Sequence, residues 1–351
     1  MQRCFCIACG CADGRARERP PAVEARTMRL ASYSDSAGPA LGLVLDDQVY
    51  CLARLAEGAE GTAAGGAGLL STLDSLLAAG EVGEQVARRV AKAAREGAIS
   101  AGALAVARVG ALGEVRLLAA SPQARKVFAL AGNYEEHVKE SKRVKGFVDL
   151  RRRRAPRVFM KPPTTTLRAS GDPIEIPPCG RQIDWEVELA LVMGKRARRV
   201  AAEQARDCVF GYCLFNDVSE RAFQIWEREE SSEWDRFFDW LNGKWFDSFA
   251  PAGPYLVTKD EVPDPYAIEL KLAVNGVTMQ ADSTANMIFD IETVVEFLSA
   301  FVTLEPGDII AMGTPAGVGM ARGVFLKPGD EVVAEGTGLG RLVNRVVAAT
   351  D

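Results

Sequence analysis

The chain of 351 residues is 48% hydrophobic and 25% charged, the balance of a water-soluble globular protein with length for two domains. A net charge of -5 and a pI near 5.3 give no basic footprint for nucleic acid or for an anionic membrane surface. No apolar run reaches the ~18–20 residues of a membrane span, so neither partner is expected.

Cys4, Cys6, Cys9 and Cys11 crowd into the first eleven residues, whereas Cys51, Cys179, Cys208 and Cys213 are scattered. The crowded spacing is poor for a structural zinc site, which brings two ligand pairs together across a longer loop. Residues 12–27 are rich in Arg, Ala and Pro without periodicity, and Met28 opens the first strand pattern. Residues 1–27 therefore read as a disordered extension, with a metal or redox role as the lesser alternative. With no apolar leader and thiols kept reduced, the expected compartment is the cytoplasm.

Strands are expected at Arg29–Tyr33, Ala40–Leu45 and Gln48–Leu52, the last two joined by a turn at Asp46-Asp47. Gly58–Gly68 reads as a loop. Leu70, Leu73, Leu76, Leu77, Val82, Val86, Val90 and Ala94 recur at helical spacing across Leu69–Arg95, interrupted near Gly80. Val109–Leu118 is strand-like again, most clearly at Val115–Leu118. Residues 28–120 thus form a small α/β domain with no chemical motif in it. Ser121-Pro122 opens a second domain, 121–351.

That domain begins with an apolar strand, Val127–Ala131, delivering Gly132-Asn133-Tyr134 and then His137, the single histidine of the chain. A helical turn over 134–142 places His137 and Glu140 three residues apart on one face, where a carboxylate would fix the imidazole tautomer for general-base work. The alternative is a solvated helix start with an incidental histidine. Lys139–Arg157 is strongly basic; such a run is usually a solvated loop, and it could steer an anionic substrate. Val158–Lys161 is a short strand stopped by prolines, with Lys161 a possible anion contact.

Ile183–Gly194 reads Ile-Asp-Trp-Glu-Val-Glu-Leu-Ala-Leu-Val-Met-Gly and has the composition of one continuous strand. Alternation puts Glu186 and Glu188 on the same face. Two buried carboxylates so close would repel, and a hard divalent cation would relieve them. An edge strand with one wet face is the bland alternative. Val209–Gln224 runs from a strand into a turn at Asn216-Asp217, where Asp217 could supply a third carboxylate, with Arg221 and Gln224 behind it.

These motifs, in order, resemble the fumarylacetoacetate hydrolase family. The resemblance rests on Gly132-Asn133-Tyr134-x-x-His137-x-x-Glu140, Phe159-x-Lys161-Pro162, Asp184-Trp185-Glu186-Val187-Glu188-Leu189, Asn216-Asp217-Val218-Ser219-x-Arg221 and Gly243-Lys244-x-x-Asp247. Asn275-Gly276, Gln280, Thr303-Leu304-x-Pro306-Gly307-Asp308 and Gly313-Thr314-Pro315-x-Gly317-Val318-Gly319 continue it. It spans about Lys126 to Val347, and the N-terminal unit from Met28 is similar as well.

The resemblance implies a mixed, strand-rich α/β protein: a β-roll catalytic domain with a small N-terminal domain, assembled as a homodimer. It implies Mg2+ or Mn2+ on Glu186, Glu188 and Asp217, and a water-activating dyad of His137 and Glu140. Lys244 is the expected stabiliser of enolate charge. Tyr134, Lys161, Arg221, Gln224 and Thr314 are expected to contact a small anionic oxo acid. The implied reaction is hydrolysis of a carbon–carbon bond in an acylpyruvate-like β-diketo acid. Decarboxylation or isomerisation of a related 2-oxo or 2-hydroxy-dienoic acid is the alternative on the same site, and a metal-binding protein without turnover a remote one. Two stretches depart from the family pattern: Lys142–Arg154 looks expanded, and Ile225–Asn242 is longer than the usual link to Gly243-Lys244.

Overall fold

The computed structural model describes residues 28–59, 66–140 and 155–349. The cysteine cluster at 4–11, the proposed extension 1–27 and most of the basic stretch lie outside the described residues. Among the described residues, no helix is long and apolar enough to cross a membrane.

The described residues form a mixed, strand-rich α/β structure with two large sheets and, among them, no closed barrel. The larger sheet has eleven strands and runs in the order Arg108–Ala111, Gln48–Cys51, Gly38–Leu45, Arg29–Asp35, Ala250–Thr258, Val209–Asn216, Val187–Met193, Ile309–Ala311, Val127–Leu130 and Val158–Lys161. Leu167–Arg168 pairs alongside Ala250–Thr258. A five-stranded sheet orders Val277–Ser283, Glu269–Val274, Glu331–Gly336, Gly340–Ala348 and Ile174–Ile176. Residues 28–120 and 121–351 share the larger sheet, because Arg29–Asp35 pairs antiparallel with Ala250–Thr258.

Most expected elements of the N-terminal unit are present. Asp46 and Asp47 both take positive φ, 47° and 58°, which closes the hairpin between Gly38–Leu45 and Gln48–Cys51 with a turn of the hand that matches strand twist. The helical stretch divides into Leu73–Ala78 and Gly80–Arg95, and Val86, Val90 and Ala94 are buried while Val82 is exposed. Leu52–Gly58 and Ala101–Ala107 are helices that the sequence pattern hid, being short and rich in Ala and Gly. Val115–Leu118 is not a strand; it meets the sheet only at a bridge between Tyr33 and Leu117.

Val187–Met193 is the centre of the larger sheet and is buried at every residue. Val187, Leu189 and Leu191 pack with Leu214, Leu272 and Leu342 toward the five-stranded sheet, while Ala190 and Val192 pack with Leu73, Leu77 and Val90 of the N-terminal unit. A strand covered on both faces reads as a nearly continuous apolar run, which is why Glu188 stands out in it. The edge-strand alternative fails, because this strand is hydrogen-bonded on one side to Val209–Asn216 and on the other to Ile309–Ala311.

Candidate metal centre and active site

The expected single strand is two. Ile183–Asp184 pairs with Ser219–Glu220, Val187–Met193 enters the large sheet, and Trp185 and Glu186 form the step between them. Side chains take over the ladder at that step. Asn216 Oδ1 accepts from the Glu186 amide at 3.0 Å, and Gln280 Oε1 accepts from the Val187 amide at 3.0 Å. The step brings Glu186 beside Glu188 and across from Asp217, with one oxygen of each within 4.8 Å of the others, all three buried.

Each carboxylate has a different environment. Glu186 accepts from Arg221 through one oxygen and from Lys244 Nζ at 2.8 Å through the other. Asp217 accepts from Lys161 and from Lys244 Nζ at 2.6 Å. These cations, Lys244 first, hold the Glu186 carboxyl far below the usual range in spite of burial. Among the described residues, Glu188 receives only the Gly313 amide at 2.7 Å on Oε2, while its Oε1 is buried without a partner. Desolvation, and then the charges of Asp217 and Glu186, push its carboxyl well above the ordinary value. Burial likewise pulls the Lys161 ammonium down to about 8.

An all-oxygen triad with one orphaned buried oxygen fits a hard divalent cation. The oxygens of Glu186 and Asp217 each keep a lone pair after accepting one N–H. Charge supports the fit. Asp184, Glu186, Glu188 and Asp217 face Arg221, Lys161 and Lys244, so with all groups ionised one negative charge is in excess. A divalent cation converts that excess to one positive charge, suited to an anionic ligand.

His137 lies on the helix Glu135–Glu140, with Nδ1 3.0 Å from Glu140 Oε1. Glu140 also accepts from the Gly317 amide at 2.9 and 3.0 Å, which ties this helix to the 313–319 loop. Gly317 has φ +108°, and an added Cβ would meet Met279 O at 2.2 Å, so only glycine fits there. The same loop carries the Gly313 amide to Glu188, so one segment ties the dyad to the triad. Tyr134 is buried with its hydroxyl unpartnered among the described residues, and burial, followed by the charge of Glu188, holds that hydroxyl well above the usual tyrosine value.

Four residues expected to contact substrate have other partners in the structure. Lys161 is wholly buried and spends its ammonium on Asp217 and on Val218 O at 3.0 Å, so it supports the triad. Arg221 bridges Glu186 and Asp184, the latter at 2.8 Å. Thr314 donates to Val187 O at 2.8 Å and accepts from Gln280 Nε2 at 2.8 Å, so its hydroxyl is tied to the strand. Gln224 is exposed, and its hydrogen bond goes to Arg181 at 3.5 Å, outside the cluster.

Asp184, to which the sequence pattern assigns no role, is also part of the site. Buried, and sharing Arg221 with Glu186, it accepts from the amides of Trp185 at 2.8 Å, Gly319 at 2.5 Å and Met320 at 3.1 Å. It binds the strand step to the 313–319 loop. An aspartate next to a buried tryptophan, in a run otherwise apolar, was the available signal.

The family described as fumarylacetoacetate (FAA) hydrolase, C-terminal, matches residues 126–347. A mitochondrial oxaloacetate tautomerase of Bos taurus is 40% identical over 236 residues, covering 67% of this chain and 70% of that protein. Maleylpyruvate hydrolase from Sphingobium sp. SYK-6, solved with manganese(II) and pyruvate, is similar at TM-score 0.67 and 29% identity, over 92% of this chain and 100% of that one. Fumarylacetoacetate hydrolase from Exiguobacterium antarcticum is similar at TM-score 0.66 and 28% identity, with the same coverage. The chain belongs to the fumarylacetoacetate hydrolase family.

Proposed function

We propose that the protein is a Mg2+- or Mn2+-dependent hydrolase that cleaves a carbon–carbon bond in a small β-diketo acid of the acylpyruvate type. The observation that carries this reading is the dyad: His137 held by Glu140, and Glu140 held in turn by the Gly317 amide. An orienting carboxylate fixes the imidazole tautomer and raises its basicity, the arrangement that activates water. Glu186, Glu188 and Asp217 would hold the cation, which when bound supplies Lewis-acid polarisation to the oxo and carboxylate oxygens of the substrate.

In this reading His137 takes a proton from water as the water oxygen bonds to the distal carbonyl carbon. The carbon–carbon bond then breaks, and its electron pair passes into an enolate. The Lys244 ammonium, already beside Glu186 and Asp217, stabilises that charge. His137 returns its proton to the enolate carbon, giving two acids.

A second reading is keto–enol isomerisation of an oxo diacid, favoured by the 40% identity to the bovine tautomerase. It keeps the cation and Lys244 and needs no attack by water. One experiment separates the readings: loss of enol absorbance from acylpyruvates and oxaloacetate, with Mg2+ or with chelator, for wild type, E188Q and H137A. Two acids formed only with metal, Glu188 and His137 support hydrolysis. An isobaric product from oxaloacetate with metal and Glu188, surviving H137A, supports isomerisation. Carbon dioxide as product transfers the site to decarboxylation. We also carry the homodimer and a cytoplasmic location as proposals, the former tested by sedimentation of the full chain.

A further inference from the structure

We propose that Phe159 and Trp240 are positioning residues for Lys244, two aromatic faces that hold its ammonium at the triad. The inference rests on the proposed role of Lys244 as the cation that meets developing enolate charge. Lys244 is 2% exposed, and of its three N–H donors two go to Glu186 and Asp217. Its Nζ also lies 5.3 Å from the centroid of the Phe159 ring and 5.9 Å from that of Trp240, both within cation–π range. The rings brace each other edge to face, with centroids 5.2 Å apart and planes at 72°.

The chain path fixes this arrangement. Trp240 lies near the end of the helix Glu233–Asn242, which begins with a capping box between Ser232 and Asp235. The Gly243 amide closes the helix on Asp239 O at 2.9 Å. Gly243 leaves no space for a side chain, since a Cβ would meet Glu220 O at 2.2 Å, and Lys244 follows at once. No residue of the helix is fully buried, yet Trp240 and Leu241 are its two apolar residues packed on the core.

The chemistry explains why rings suit this position. Lys244 shares Glu186 and Asp217 with the cation those residues are proposed to hold, and two positive charges on the same carboxylates repel. A lysine on a flexible stem would swing away. Another carboxylate would restrain it but would also compete for the metal. An aromatic face attracts a cation while offering a hard metal no ligand, so it holds the ammonium without altering the triad.

The test uses the full-length, Mg2+-saturated protein with two readouts. In lysine-labelled protein the Lys244 side-chain NMR resonance, assigned by its loss in K244M, should show the ring-current displacement of a group above aromatic faces. W240L should return it toward an ordinary lysine position and W240F should keep most of the displacement. In turnover, W240L should lose about tenfold in kcat, the order of a desolvated cation–π contact, with KM nearly unchanged, and W240F should recover most of it. A Lys244 resonance unmoved by W240L, or W240F as slow as W240L, overturns the proposal. Should W240L fail to fold, F159L takes its place in both measurements. A displaced resonance in a protein that turns over no oxo acid leaves the positioning intact and refutes the proposed function instead.

Discussion

Glu186 and Glu188 stand two residues apart and would both bind the cation, yet their removal should affect the metal-free protein in opposite ways. Glu186 is the counter-ion of buried Arg221 and Lys244. Replacing it with Gln leaves those cations underpaired, and breaking a buried pair from one side costs about 3–5 kcal/mol. Among the described residues, Glu188 has no cationic hydrogen-bond partner, and its Oε1 has none at all. An unsatisfied buried acceptor already costs about 1–3 kcal/mol, so E188Q should leave metal-free stability within about 1 kcal/mol of wild type or raise it. Added Mn2+ should separate the two proteins the other way. At one hundred times the dissociation constant, a ligand specific to the folded state contributes about 2.7 kcal/mol, a shift of several degrees in thermal midpoint at this chain size. Wild type should show that shift and E188Q should show none. The assay is denaturant and thermal unfolding of wild type, E186Q and E188Q, each with chelator and with Mn2+. Metal-free E188Q as unstable as E186Q, or E188Q still stabilised by Mn2+ at the wild-type concentration, would refute the assignment.

Further outcomes follow from the same geometry. The Glu188 carboxyl is raised in the fold, so the folded protein keeps a proton that the unfolded chain has released. Metal-free stability from this group should therefore fall as pH rises from the unfolded value near ~4.3 toward the raised folded one, and the difference between wild type and E188Q across that window measures it. H137A should lower hydrolytic kcat by about 10²–10⁴-fold with Mn2+ affinity little changed, checked by product assay and by metal titration. G317A should impair both stability and turnover, since the added Cβ must move Met279 O and with it the amide that holds Glu140; wild-type kcat in G317A would remove the clamp from the mechanism. D184N should loosen the 313–319 loop and leave Arg221 with one charged partner, costing about 3–5 kcal/mol in chemical denaturation.

The residues legible in the sequence were those whose chemistry conflicts with their surroundings. Glu188 in a run of Val, Leu and Ala is costly without a purpose, and Asp217 closing an apolar strand carries the same message. His137 and Glu140 could be paired because a helical turn has a fixed pitch. What stayed hidden depends on contacts distant in the chain. Strand alternation put Glu186 on the face of Glu188, but Glu186 sits in a break in the ladder that Asn216 and Gln280 repair from 30 and 93 residues away. Thr314 and Lys161 looked free to meet substrate because nothing local reveals that Val187 O and Asp217 already claim them. Trp240 was one aromatic among several in a polar stretch, and only the fold distinguishes it from exposed Trp234 and Phe238.

The pairing of Arg29–Asp35 with Ala250–Thr258 has a consequence for biosynthesis. Met28 meets Thr258 across 230 residues of sequence, so the first described strand reaches the ribosome exit long before its partner is translated. Closing so large a loop is slow, and until it closes the N-terminal helices have no finished sheet to cover. Removing residues 28–120 would bare the Leu256–Val257 end of Ala250–Thr258, a strand buried throughout, while Leu167–Arg168 still covers its start. Such an edge templates association between chains, so a truncated catalytic half should precipitate rather than work.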